Sequence, residues 1–154
     1  MTHRTDNRRE KQQDHLPHTR QLKCLAIAVF LDTPKGRFLM TMLLDTSALQ
    51  TLQELLGDDF LDITQIYADQ VCLDVQGIQA CWTNTDTVEL GKLAHALKGG
   101  SSNMGAVEVA RLAALLEKAA LGNDHTTIGS VLKDLPAAAE QTVQALRTGG
   151  YLRA

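Results

Sequence analysis

One short stretch, LAHALKGGSSNMGA at residues 93–106, carries the residue types that could do chemistry together. His95 offers a ring nitrogen, and a neutral imidazole is a good nucleophile. A free imidazole has a reference pKa near ~6.5, so much of it is neutral at pH 7. Lys98, three places on, puts an ammonium on the same helix surface, and Gly99, four places on, leaves the space beside the ring clear. Ser102 adds a hydroxyl donor one turn further. An imidazole, a point-charge cation and a cleared patch suit a phosphoryl group carried on nitrogen. A flat glycine-lined face also lets a second protein bring its own catalytic groups close. The glycines work against the helix they sit in, each costing about 0.5–1 kcal/mol relative to alanine.

A helical wheel gives the histidine a direction. Counted from Leu90 at roughly 100° per residue, Leu93, Ala94 and Leu97 fall in one apolar stripe, and His95 lies roughly 140° round from it. Lys98, Gly99 and Ser102 surround it on the water-facing side.

Competing chemistry does poorly. Zinc wants three or four ligands, yet His125 is the only other histidine in the helical part, with no HxxxH pairing. Cys72 and Cys81 lie nine apart, an unpersuasive ligand spacing. Glu89 and Glu117 are conceivable acids or bases, but neither has a convincing second group. The Lys98-Gly-Gly-Ser-Ser run is no phosphate-binding loop, since its lysine precedes the glycines and no strand leads in. ATP chemistry by this chain alone is therefore not expected.

The elements that must position these residues are helices. Ser47 followed by Gln50 reads as a capping box for a short helix over 47–56, closed by Gly57. Asp58 or Asp59 is the expected cap of a second helix reaching Ala80 or Trp82, with Phe60, Ile63, Ile66, Tyr67, Val71 and Val75 at helical spacing. Gly77 is expected to weaken its last turns. Thr85 and Asp86 open a third, and a fourth spans about 106–121, ended by Gly122. Asp124 opens a fifth that runs to Gly149-Gly150, where Pro136 is expected to bend or break it. Long amphipathic helices with short connections predict an all-α, antiparallel up-down four-helix bundle, with the short first helix covering one end.

Composition agrees. Alanine and leucine dominate the 154 residues, and aromatics make up only 4%, which argues against a β-sandwich and against reading nucleic-acid bases by stacking. Residues 1–42 carry eight Lys/Arg against four Asp/Glu, while the remainder carries seven against fourteen. An acidic body should not bind nucleic acid by general electrostatics. The three cysteines, Cys24, Cys72 and Cys81, form no CxxC pair and are odd in number, which favours a reducing compartment. Residues 1–41 read as a poorly ordered extension or linker, polar at first and then apolar over Cys24–Leu31; eight residues are too few to cross a membrane. The domain proper is expected at 43–148, with 149–154 as a flexible tail.

The segment LAHALKGGSSNMGA, followed by VARLAALLE, resembles the histidine-containing phosphotransfer domain of bacterial multistep phosphorelays. The matching residues are His95, Lys98-Gly99, Ser101-Ser102, Gly105-Ala106 and Leu116-Glu117, with Leu44-Asp45 and Gly57-Asp58-Asp59 similar to the family's opening. The doubled glycine at Gly100 and Pro136 depart from the pattern. The resemblance implies that His95 accepts a phosphoryl group from the phospho-aspartate of a response regulator receiver domain and passes it to another receiver. Mg²⁺ would sit in the partner receiver and no cofactor in this chain, which would have no autonomous kinase activity. Lys98 would balance charge, Gly99 would give access to the imidazole, and Leu116 and Glu117 would mainly support the bundle. Such a chain would be a cytoplasmic monomer shuttling between a hybrid sensor kinase and a response regulator. A helical adaptor that docks receivers without carrying phosphate is the alternative.

Overall fold

The computed structural model describes residues 43–153; the charged tail, the apolar run Cys24–Leu31 and the whole 1–41 segment lie outside the described residues. Among the described residues five α-helices follow in order: α1 Thr46–Leu56, α2 Phe60–Thr83, α3 Thr87–Asn103, α4 Val107–Leu121 and α5 His125–Thr148. Helices α2 to α5 form the bundle, each packed on its sequence neighbour, and α5 closes the ring against α2, while α1 packs against α2. Its antiparallel register is visible in cross-links such as Tyr67 to Ser101 and Thr87 to Asn123. One isolated bridge, Leu44 to Ala106, ties the start of the domain to the α3–α4 turn.

Helix α1 starts one residue earlier than the capping box suggests. Asp45 is its N-cap, and its Oδ1 accepts from Ser47 N at 3.0 Å and Ala48 N at 3.1 Å. An ionised carboxylate satisfies two orphan amides at once, so Ser47 becomes the capped residue rather than the cap. Asp59 does not cap α2 with its side chain either; Gly57–Asp59 forms a 3₁₀ turn that leads directly into it. Asp86 and Asp124 do cap α3 and α5, accepting from Glu89 N at 2.9 Å and Thr127 N at 3.0 Å.

The buried stripe of α2 is displaced from the expected one. Ile66 is 64% exposed and Ile63 also faces water, whereas Thr64 and Ala68 are buried. Apolar counting could not find Thr64, whose hydroxyl is hidden by donating to Phe60 O at 3.0 Å and to Tyr151 O. Gly77 leaves α2 intact as far as Thr83.

Pro136 lies inside α5 and the helix runs through it unbroken. A proline in a helix interior costs about 3 kcal/mol, but Leu132, Leu135 and Ala139 bury the face around it. Each fully buried leucine is worth about 1.5–3 kcal/mol, enough to hold one helix together.

The last residues, expected as a tail, are docked. Leu152 is buried, the Tyr151 ring packs edge-on to Phe60 at 6.1 Å, and Arg153 pairs with Asp62.

Candidate functional site

Helix α3 presents its two sides as the wheel requires. Leu90, Ala94 and Leu97 are buried in the core, whereas the His95 side chain is 69% exposed. What completes the site comes from α4. After α3 the chain reverses at Gly105, which has φ 64°, and returns as α4 beside it. Glycine is needed at that turn, because an added Cβ would also sit 2.9 Å from Asp45 O. Ala106 N donates to Ser101 O at 2.8 Å and Asp45 N to Gly105 O at 2.7 Å, locking the two helices in register.

That register places Glu117 over the histidine. Glu117 Oε1 lies 2.6 Å from His95 Nδ1, and Oε2 accepts from Lys98 Nζ at 2.6 Å. Leu116, beside it, is fully buried and fixes the height of the carboxylate. The Lys98 ammonium, and then the His95 ring, hold the Glu117 carboxyl below the usual carboxylate range. An ionised carboxylate only accepts, so the hydrogen at this contact belongs to Nδ1. In the neutral ring the lone pair is then on Nε2, the nitrogen that faces away from Glu117. One anion thus selects the tautomer, orients the ring and anchors the lysine.

Sequence reasoning gave Glu117 only a supporting role and found it no second group; the structure gives it two. The signal was in the spacing. His95 lies ten residues before Gly105 and Glu117 twelve after it, so an antiparallel pair of helices brings them to nearly the same height.

The other expected residues distribute as follows. Lys98 reaches the site and is already paired with Glu117. Gly99 is exposed, and among the described residues an added Cβ would meet nothing within 4 Å, the imidazole included. Ser102 is exposed and its carbonyl accepts from Gly105 N at 3.2 Å; among the described residues its hydroxyl has no partner at the imidazole. Ser101, its neighbour, is fully buried and accepts from Tyr67 Oη at 3.0 Å. Burial pushes the Tyr67 phenol up to about 12.

The rejected candidates stay apart. His125 packs against Trp82 with ring centroids 5.5 Å apart, and Glu89 pairs with Lys92. Cys72 and Cys81 are partly buried, and burial raises both thiols above their ordinary value. Among the described residues no group of three His, Cys, Asp or Glu is placed to hold a metal ion, and no helix is long and apolar enough to cross a membrane.

An exposed imidazole presented between two helices of a bundle, with a carboxylate on one nitrogen and an ammonium beside it, is equipped to take and release a group on the other nitrogen. Comparison with known proteins agrees. No curated protein matches the chain. Among solved structures, the crystal structure of histidine-containing phosphotransfer protein B (HptB) from Pseudomonas aeruginosa PAO1 is similar. It has a TM-score of 0.66 and 26% identity, over 70% of this chain and 93% of that one. The Hpt domain profile matches residues 47–149, so the chain belongs to the Hpt domain family and serves the histidine phosphotransfer relay of two-component signalling through receiver domains.

Proposed function

We propose that His95 is the phosphoryl carrier of this relay protein and that Nε2 is the reacting nitrogen. The observation that carries the reading is the Glu117 carboxylate 2.6 Å from Nδ1 of a ring whose other side is open to solvent. In the forward step the Nε2 lone pair attacks the phosphorus of a receiver's phospho-aspartate. An N–P bond forms, the P–O bond to the aspartate breaks, and its electron pair leaves on the carboxylate. The ring becomes cationic as it does so, and Glu117 holds the Nδ1 proton and balances the charge. Donation to a second receiver is the same step reversed.

Lys98 is the cation available to the arriving phosphoryl oxygens; to meet them it exchanges one Glu117 oxygen for the phosphate. Mg²⁺ belongs to the receiver in this reading and supplies charge neutralisation at the transferring phosphoryl group. One of the receivers belongs to a hybrid sensor kinase, and the relay operates in the cytoplasm. The scarcity and the odd count of cysteines support that compartment.

Incubation of the purified chain with a phosphorylated receiver and Mg²⁺ tests the reading. Acid-labile, base-stable phosphate should appear on the chain and be lost in His95→Gln. Labelling that survives the substitution would remove His95 from the role.

A further inference from the structure

The outward side of α2 carries large apolar side chains that the bundle leaves outside its core. Ile66 is 64% exposed, Leu73 57% and Ile63 41%. Ile66 and Leu73 are seven residues apart, which sets them about 20° apart round the helix and roughly 10 Å apart along it. They form one stripe, an apolar area that a further segment can cover. Charge around the stripe has one sign. From Asp45 to Thr83 the sequence holds seven Asp or Glu and no Lys or Arg. Among the described residues only Asp62 of these seven is in a salt bridge, with Arg153. Asp69, three residues after Ile66 and four before Leu73, lies beside both on the helix surface and accepts only from the Gln65 amide.

We propose that Cys24–Leu31 of this same chain covers the α2 stripe, held there by the basic residues that bracket it. Three observations name this occupant. The run is eight apolar residues long, too short to cross a membrane, and it needs an apolar surface of its own. Its flanks carry the opposite charge to α2: over residues 20–37 Arg20, Lys23, Lys35 and Arg37 stand against Asp32 alone. A second copy of the bundle is a poor rival, because it would bring one acidic α2 face against another.

Reach is the third observation. Residues 32–42 are an eleven-residue tether, which spans at most about 36–40 Å. The tether ends where Leu44 bridges to Ala106 at the α3–α4 turn. That turn and the start of α2 are at the same end of the bundle, since Tyr67 early in α2 bonds to Ser101 late in α3. From the start of α2, Ile66 is about 9 Å along the helix and Leu73 about 20 Å. Neighbouring helix axes are about 8–10 Å apart, so the tether covers both the sideways and the lengthwise distance.

Hydrogen exchange on the full chain tests the assignment. Wild type is compared with Ile66→Gln/Leu73→Gln, which removes the apolar stripe with good helix formers and adds no charge, and with Asp69→Asn. All three sites face solvent, so the variants should melt as the wild type does. In the wild type the amides of residues 24–31 should exchange roughly tenfold more slowly than in the glutamine pair, with Asp69→Asn between them. Amides inside the bundle should exchange alike in all three, and sedimentation should show monomers.

Equal exchange of residues 24–31 in wild type and the glutamine pair overturns the assignment, because the segment is then not held by α2. Protection that grows with protein concentration overturns it as well, by giving the stripe to a second copy. So does a slowing that appears only on addition of a receiver domain, which makes the partner the occupant. None of these results touches the role of His95.

Discussion

The Glu117 carboxylate stands 2.6 Å from Nδ1 of His95 although the two residues belong to different helices, α4 and α3. A carboxylate so placed does for the imidazole what an orienting group does for any reacting histidine: it fixes which nitrogen carries the hydrogen and steadies the ring. Replacing it should slow transfer without removing the nucleophile. Glu117→Ala is expected to lower the phosphorylation rate of His95 by roughly 10- to 100-fold, the usual scale for losing such a partner. Glu117→Gln, whose amide oxygen still accepts from Nδ1, should fall between it and the wild type. Initial rates from a phospho-receiver check the order.

The same carboxylate makes a pH-dependent contribution to stability. Its pKa is lowered in the fold by the Lys98 ammonium first and His95 second. A lowered acid stabilises the native state above its unfolded pKa, near ~4.3, and loses that contribution as pH falls through the folded value. The difference in melting temperature between the wild type and Glu117→Gln should therefore be steady above about pH 5 and shrink in more acid solution. Thermal melts at stepped pH measure it.

Gly99 separates stability from function. Among the described residues its added Cβ meets nothing within 4 Å, so Gly99→Ala should stabilise α3 by about 0.5–1 kcal/mol while slowing transfer, because the methyl group projects into the approach path. Gly100, equally unobstructed, points elsewhere on the wheel, and Gly100→Ala should give the same stability with normal transfer. Paired melting and transfer assays decide; a Gly99→Ala that transfers as fast as wild type would leave the glycine without a docking role.

How far this site was legible depended on the kind of signal. The direction of His95 followed from one helix's own periodicity, since Leu90, Ala94 and Leu97 repeat at the helical period and all three are buried. Glu117 needed a relation between two helices, which a single-helix wheel cannot carry; only the nearly equal spacing about Gly105, ten residues against twelve, hinted at it. Failures in the fold share a cause. Thr64 is a buried polar residue that hides its hydroxyl on carbonyl oxygens, and Asp45 caps from outside the apolar pattern. Pro136 left open whether one helix or two would follow, because local backbone chemistry alone does not include the tertiary packing on both sides of it that keeps α5 a single helix.

Tyr67 ties α2 to the buried end of α3 and should report on unfolding in alkali. Burial raises its phenol to about 12, above the reference value near ~10. The neutral form is the one the fold stabilises, so the contribution is complete below pH ~10 and is lost as pH rises toward 12. Phenolate absorbance near 295 nm in wild type minus Tyr67→Phe should develop only at that upper end.

Thr142 is buried, and among the described residues its hydroxyl has no hydrogen-bond partner. An unsatisfied buried hydroxyl costs about 1–3 kcal/mol, so Thr142→Val should raise stability by roughly 1 kcal/mol. Chemical denaturation with an unchanged m-value would register this as a shift of midpoint alone.

The most direct measurement is of the nitrogen itself. Chain labelled with ¹⁵N-histidine, phosphorylated by a receiver and observed by ¹⁵N and ³¹P NMR, reports which ring atom carries the phosphoryl group. Coupling of phosphorus to Nε2 of His95, with Nδ1 still protonated, is the expected result. Phosphorus on Nδ1, or on a histidine other than His95, would contradict the arrangement in which Glu117 reserves one nitrogen and leaves the other to react.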